Sequence, residues 1–347
     1  MSVTGVELKA AVKRATTWGA AAACGANSGV LIKPHTIKKK RNTITDDSMG
    51  LYFPQNAVNA EIDVSGALPA YLRYDSLDLL IALAMGSVPG APVQQGATPA
   101  YAQSFIMAAS LGGLFATYIQ NNTVNIDEYT SIKVSGFTIK GDVGKPVEIS
   151  FDVMAYDRVT NSAVNTTGTF AGVTYMETGN RVLFSQGVYR MNNQGDAALA
   201  SASVIYPSGF ELSFKRKMKG LYTVAGFVNI DEPSSDGFPE VKLKLTFPRY
   251  TANIQQIFAD WDATQQKKMD MTFTGAQIAS PYNRSFQIQL PCLQITSADL
   301  PLKHGIMEAP MEFVALGCAA APAGMNGVIQ PFQINVINQQ GANVLTS

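Results

Sequence analysis

IKVSGFTIKGDVGKPVEISFDV, residues 132–153, alternates apolar and polar side chains along two runs separated by a turn containing Gly141, Gly144 and Pro146. A period of two marks a strand with one buried face, and Gly and Pro between two such runs mark a chain reversal. The same alternation recurs in AEIDVS at 60–65, FELSFKRKM at 210–218, VKLKLTF at 241–247, MDMTFTG at 269–275 and FQIQL at 286–290. The chain is therefore predicted to be mainly β.

Two segments break the pattern. In YDSLDLLIALAMGS, Asp75 is placed to cap a helix, Asp78 sits in its first turn, and Leu77, Leu80, Ile81 and Ala84 follow at helical spacing up to Gly86. In YTANIQQIFADWDATQQ, Thr251 is placed to cap, while Ile254, Ile257, Phe258 and Trp261 form one apolar stripe. Each helix follows a strand, and a tyrosine precedes each cap: Tyr74 and Tyr250.

That coincidence points to an internal repeat. SGVLIKPHTIKKKRN from Ser28 matches SGFELSFKRKMKG from Ser208, and AEIDVS at 60 matches EVKLKLT at 240. The two helices come next. FTIKGDVGKPVEISFDVMA at 137 then resembles LQITSADLPLKHGIMEAPMEFVALG at 293, and VLFSQGVYRMNNQG at 182 resembles IQPFQINVINQQG at 329. The expected architecture is two tandem β-sandwich or barrel-like units, each with one short flanking α-helix. Residues 1–27 form an N-terminal arm, 28–195 the first unit, 196–207 a linker, 208–341 the second unit and 342–347 a C-terminal tail. The first copy is longer, chiefly over 99–130.

The chain has 347 residues, 46% hydrophobic and only 15% charged, with zero formal net charge. Charged residues make up roughly 25% of ordinary soluble domains. Sparse charge suits a subunit whose surface is covered by neighbours, and zero net charge gives no global field for nucleic acid or anionic membrane. No apolar run is long enough for a membrane helix, and the N-terminal stretch lacks the apolar core of a signal peptide. Cys24, Cys292 and Cys318 are too few and too scattered for a disulfide framework.

Catalytic and metal chemistry find no foothold. His35 and His304 lack partner patterns, and neither a Cys/His cluster nor a Gly-x-Ser-x-Gly elbow is present. GDVGKP at 141–146 is no phosphate loop: Pro146 replaces the metal-binding Ser or Thr, and a strand follows. Asp46–Asp47 and Asp231–Glu232 read as solvated loop acids. The expectation is no enzyme, no cofactor and no metal.

The basic runs, Lys38, Lys39, Lys40 and Arg41 in the first copy and Lys215, Arg216, Lys217 and Lys219 in the second, are expected at hairpin tips. They read either as solvated tips or as contacts with an acidic surface of a neighbouring subunit; without interleaved aromatics they are poor nucleic-acid platforms. Glu61 and Asp63 share one strand face, and the repeat alignment sets Lys242 and Lys244 against them. Such inversion favours contact between unlike copies in a ring. Glu148, Ser150 and Asp152 share another strand face.

Three stretches carry a family resemblance: ATTWGAAAACGANSGVLI, DVSGALPAYLRYDSLDLLIALAMGS and RVLFSQGVYRMNNQGDAALASASVIYPSGFELSFKRK. With them the chain resembles the tail tube proteins of long-tailed bacteriophages. The resemblance implies packed antiparallel sheets and stacked rings around a hollow bore that DNA leaves through. Six units complete a ring in that family, so the doubled chain implies a homotrimer with pseudo-sixfold symmetry. It implies contacts between rings from 33–56, 213–236 and 1–27. It also implies a tape measure protein and tail terminator or tip proteins as partners, a place in the virion tail, and assembly in the host cytoplasm. A bore that lets DNA pass without binding is expected to be acidic or neutral, with Glu148, Ser150 and Asp152 facing it. A two-domain adhesin or binding module is the competing reading, and the tube protein of a contractile injection system is a close variant of the tail tube reading.

Overall fold

The structure, a computed structural model, describes residues 8–176, 179–223, 228–298, 307–325 and 327–346. Its principal strands are β1 Lys9–Ala15, β2 Lys38–Asp46, β3 Gln55–Tyr71, β4 Tyr101–Met107, β5 Phe115–Asn121, β6 Ile126–Asp142 and β7 Glu148–Thr160. They continue with β8 Gly187–Asn193, β9 Gly209–Lys215, β10 Glu240–Phe247, β11 Lys267–Ala279, β12 Tyr282–Ala298, β13 Ala309–Ala315 and β14 Gln333–Asn338. The helices are α1 Asp78–Met85, α2 Thr167–Ala171 and α3 Ala252–Asp262. The fold is mainly antiparallel β in sandwich-like layers, with no closed barrel among the described residues.

The period-two runs become strands because each has one apolar face to bury. In β10, Val241, Leu243, Leu245 and Phe247 are buried while Glu240, Lys242 and Lys244 are exposed. Eight strands form one antiparallel run in the order β2–β3–β7–β6–β9–β10–β13–β12. β6 and β12 are 17 residues each and serve two layers. The first half of β6 carries β5 and then β1; that of β12 carries β11 and then β8. Ile126–Val134 is buried on both faces as a result.

The pairing β3–β7–β6–β5–β1 thus recurs as β10–β13–β12–β11–β8, and the β6–β7 and β12–β13 ladders carry one register shift each. In β6 the bulged residue is Ser135, between Gly136 opposite Asp152 and Val134 opposite Val153. In β12 it is Thr296, between Ser297 opposite Glu312 and Ile295 opposite Phe313. Matching the bulges sets Lys242 level with Ser65 and Glu240 level with Asp63. That corrects the sequence alignment, in which Lys242 and Lys244 stood against Glu61 and Asp63.

The extra length at 99–130 supplies β4, which pairs with β14 and ties the first half to the second. Residues 9–15 enter the sheet along the full length of β5, because Ala10, Ala11, Val12 and Ala15 are apolar enough to bury. Helix α1 starts without a side-chain cap: Asp75 is taken by Arg284 instead. Gly86 closes it at φ 94, a left-handed position suited to glycine. Leu80 to Met85 are all buried, so α1 lies in the core rather than on a flank. Aromatic rings span the join between the halves: Phe137 lies 5.4 Å from Phe214 and 6.0 Å from Phe332. Each such contact adds about 0.5–1.5 kcal/mol beyond burial.

Candidate functional site

Two features of the eight-strand run stand out: a polar face and two open edges. The apolar face carries Leu68, Phe151, Ile139, Leu212, Leu243 and Met311 into the core. The opposite face collects the polar alternates, and register decides what meets what. Glu148 lies opposite Lys140, Lys140 opposite Glu211, Glu211 opposite Lys244, and Lys244 opposite Glu312. One row across five strands therefore alternates in sign. In the next rows Ser150 stands opposite Thr138 and Asp152 opposite Gly136, while Ser213 meets Lys242 and Lys215 meets Glu240. On β2, Lys38 meets Ser65 and Lys40 meets Asp63.

Glu148, Ser150 and Asp152, expected to share a face, are thus joined there by Lys38, Lys40, Asp63, Lys215, Lys242 and Lys244. Lysines and carboxylates balance across this face. Direct ion pairs are few: Lys244–Glu312 at 3.3 Å, Lys242–Glu240 at 2.7 Å and Lys33–Glu148 at 2.8 Å. Exposed pairs of this kind add about 0–1 kcal/mol to stability, so the row has little value as glue. The hydrogen bond from Lys242 holds Glu240 below the ordinary carboxylate range. Burial raises Asp152, with Lys215 opposing.

The basic runs are not hairpin tips. Lys38 to Arg41 lie inside β2, paired with Ser65 to Ile62, and the turn follows only after Asp46. A strand results because Ile37 and the ladder with β3 hold this stretch extended. Lys39 points to the other face, ion-paired with Asp157 and donating to the Arg158 carbonyl. Arg216 is 6% exposed and donates to the Met85 carbonyl at the C-terminus of α1, so it is not a surface contact. Lys217 and Lys219 remain exposed, as does Glu61.

The two halves are joined edge to edge by β6 and β9. Gly136 lies opposite Lys215, Phe137 opposite Phe214, and Thr138 opposite Ser213. At the bulge the Arg216 amide donates to the Ser135 carbonyl at 2.8 Å. A Cβ on Gly136 would stand 2.2 Å from the Phe214 carbonyl oxygen, so only glycine permits this approach.

The matching edges are open among the described residues. β12 pairs with β13 as far as Ala298, but its other edge loses β11 at Leu293. β2 pairs only with β3. Ile62, opposite Arg41, gives its amide to the Val228 carbonyl and accepts from the Tyr222 hydroxyl. Both its backbone groups therefore point away from β2, so 41 and 62 form a non-hydrogen-bonded pair. The backbone of Arg41 accordingly points outward.

Other sequence candidates are structural. His35 bonds Gln120 and packs edge-on against Tyr118 and Tyr129; His304 lies outside the described residues. Asp46 accepts from the Ser48 amide and hydroxyl, and Glu232 pairs with Lys133. No metal-holding cluster occurs among the described residues, and no described helix is long and apolar enough to cross a membrane. Sequence reading missed Lys140, Glu211, Glu240 and Glu312 as members of the polar face. Alternation in IKVSGFTIK and FELSFKRKM placed the first two on polar faces, but not on the same one.

A search of curated proteins returns no match. A family model described as phage tail tube protein matches residues 5–332, nearly the whole chain. The chain belongs to the phage tail tube protein family and is a structural component of the virion tail.

Proposed function

We propose that three copies of this chain close head to tail into a ring, that rings stack into the tail tube, and that the polar sheet face lines its bore. The join between β6 and β9 carries this reading. Each chain holds two tube-like units, β1–β7 and β8–β14, and joins them edge to edge within itself through β6 and β9. Its two open edges, β12 and β2, are the counterparts of β6 and β9, so repeating the same join between chains uses both. The register follows from the bulges: the Arg41 amide of one chain donates to the Thr296 carbonyl of the next, and Lys40 stands opposite Ser297. On the six-unit ring that the family implies, three chains complete the turn. A heterologous join of this kind must either close or propagate, and closure removes every open edge.

The bore then presents alternating charge with no net sign. DNA, with one phosphate charge about every 1.7 Å of duplex, finds no continuous basic track to hold it. Passage of the genome on ejection, a tape measure protein within the bore, terminator or tip proteins at the ends, and assembly in the host cytoplasm complete the reading.

Arg41→Pro tests it. Proline removes an outward amide that the β2–β3 ladder does not use. Negative-stain images and native mass spectrometry of the unmodified chain should show rings of three copies. The variant should melt at the same temperature and form no rings. Rings from the variant, or rings of another stoichiometry, sink the proposal.

A further inference from the structure

The second half sends a long excursion out of its sheet between β9 and β10, and this excursion covers the end of the first half. Val228 takes the Ile62 amide, the Asn229 side chain donates to the Tyr156 carbonyl, and Ile230 is buried with its carbonyl bonded to the Trp18 indole. Glu232 reaches Lys133. Tyr156, just past the stretch of β7 that pairs with β3, thus lies beneath a loop of its own chain.

The first half has an excursion at the same place, the tip of the β2–β3 hairpin, and among the described residues that tip covers nothing. Tyr52 is 95% and Phe53 75% exposed, and Ile44, Met49 and Val58 are exposed beside them. The matching sheet positions of the second half equally lack a cover among the described residues. Glu312 matches Asp152 at the bulge, and the same step along the strand that leads to Tyr156 leads to Leu316. Leu316 is 40% exposed and Ile329 45%. The Cys318 amide bonds the Ile329 carbonyl at 2.9 Å, which sets Ile329 beside the chain two residues beyond Leu316. One chain therefore has an uncovered apolar tip and, at the matching position of its other half, an uncovered apolar patch.

We propose that the hairpin tip of one chain, Ile44 to Val58, seats on the Leu316–Ile329 patch of the next chain within the same ring. The occupant is a second copy, because the rotation that repeats the β6–β9 join between chains also carries the tip onto this patch. The inference rests on the ring reading above. It turns the hairpin from a contact between rings into a contact around one ring, and apolar burial drives it.

Cross-linking decides it. In a Cys318→Ser background, Phe53→Cys with Leu316→Cys is incubated with a short bismaleimide, and rings and tubes are separated by sedimentation. Covalent dimers and trimers are expected in both fractions, and none from either single variant. Leu316→Asp should raise the concentration for half-assembly at least tenfold with unchanged melting. Normal assembly of Leu316→Asp, rings that form but do not cross-link, or a link within single chains overturns the docking and leaves the ring reading standing. A link confined to tubes places the tip against the adjacent ring and overturns it too. Failure of the unmodified chain to form rings sinks the ring reading itself.

Discussion

The guanidinium of Arg284 lies 2.8 Å from the carboxylate of Asp75, a residue 209 positions away in the first half of the chain. Both are buried, at 8% and 1% side-chain exposure. Asp75 also accepts the Gln339 amide, and Arg284 also donates to the Gln339 side chain. Removing one member leaves an uncompensated buried charge, which costs about 3–5 kcal/mol. Asp75→Ala should destabilise the chain by that amount in urea unfolding. The double variant Asp75→Leu with Arg284→Met should recover most of it. Equal loss in single and double variants would show that packing, not charge, holds the halves here.

Next to that pair, Asp78 accepts from Gln103 and Asn338, and burial pushes its carboxyl up to about 7, with Asp75 adding to the rise. The unfolded chain releases this proton near 3.8. Between those values the folded chain holds more protons than the unfolded one, so stability falls as pH rises through the window. Asp78→Asn removes the titration, and its amide can reach the Gln103 Oε1 that has no partner. Melting temperatures from about pH 4 to 8 should fall for the native chain and flatten for the variant, with the largest difference at the alkaline end. Parallel curves would remove Asp78 as the cause.

Gly136 is the tightest point of the join between the halves, with the Phe214 carbonyl where a side chain would be. Gly136→Ala forces the two strands apart. The expected loss is about 1–3 kcal/mol, read from the urea midpoint, the range typical of overpacking. Gly144→Ala makes a control in the β6–β7 turn: its Cβ meets nothing, but its φ of 77 predicts a smaller, purely backbone cost. A loss at Gly136 no greater than at Gly144 would contradict the close-approach account.

The balance of charge on the polar face predicts how the tube treats DNA. Glu148→Lys with Glu211→Lys turns the alternating row basic. Opposing Lys140 and Lys244 then repel residue 211, at about 0.2–1 kcal/mol each, which the fold tolerates. Tubes of the variant should retain duplex short enough to enter, with retention lost between about 50 and 200 mM salt. Native tubes should retain none. Retention by the variant only on the outside, where nuclease removes it, would place this face away from the bore.

The sequence by itself determined the strand content, both main helices and the alternation of faces along each strand. Those follow from local periodicity: alternation tells that Glu148, Ser150 and Asp152 share a side, whatever lies next to them. Tertiary structure alone decided which strands are neighbours and in what register. A one-residue slip moves every side chain to the other face, so cross-strand partners cannot be counted from one strand. Thus Lys38 to Arg41, read as a hairpin tip, became an edge strand once Ile37 and the ladder with β3 fixed it. Asp75, read as a helix cap, was claimed by a distant arginine, since a buried ion pair satisfies both groups where an exposed cap satisfies one. The open edges were invisible for the same reason. An edge is defined by the partner it lacks, and only the folded chain shows that β6 has found β9 while β2 and β12 have not found each other.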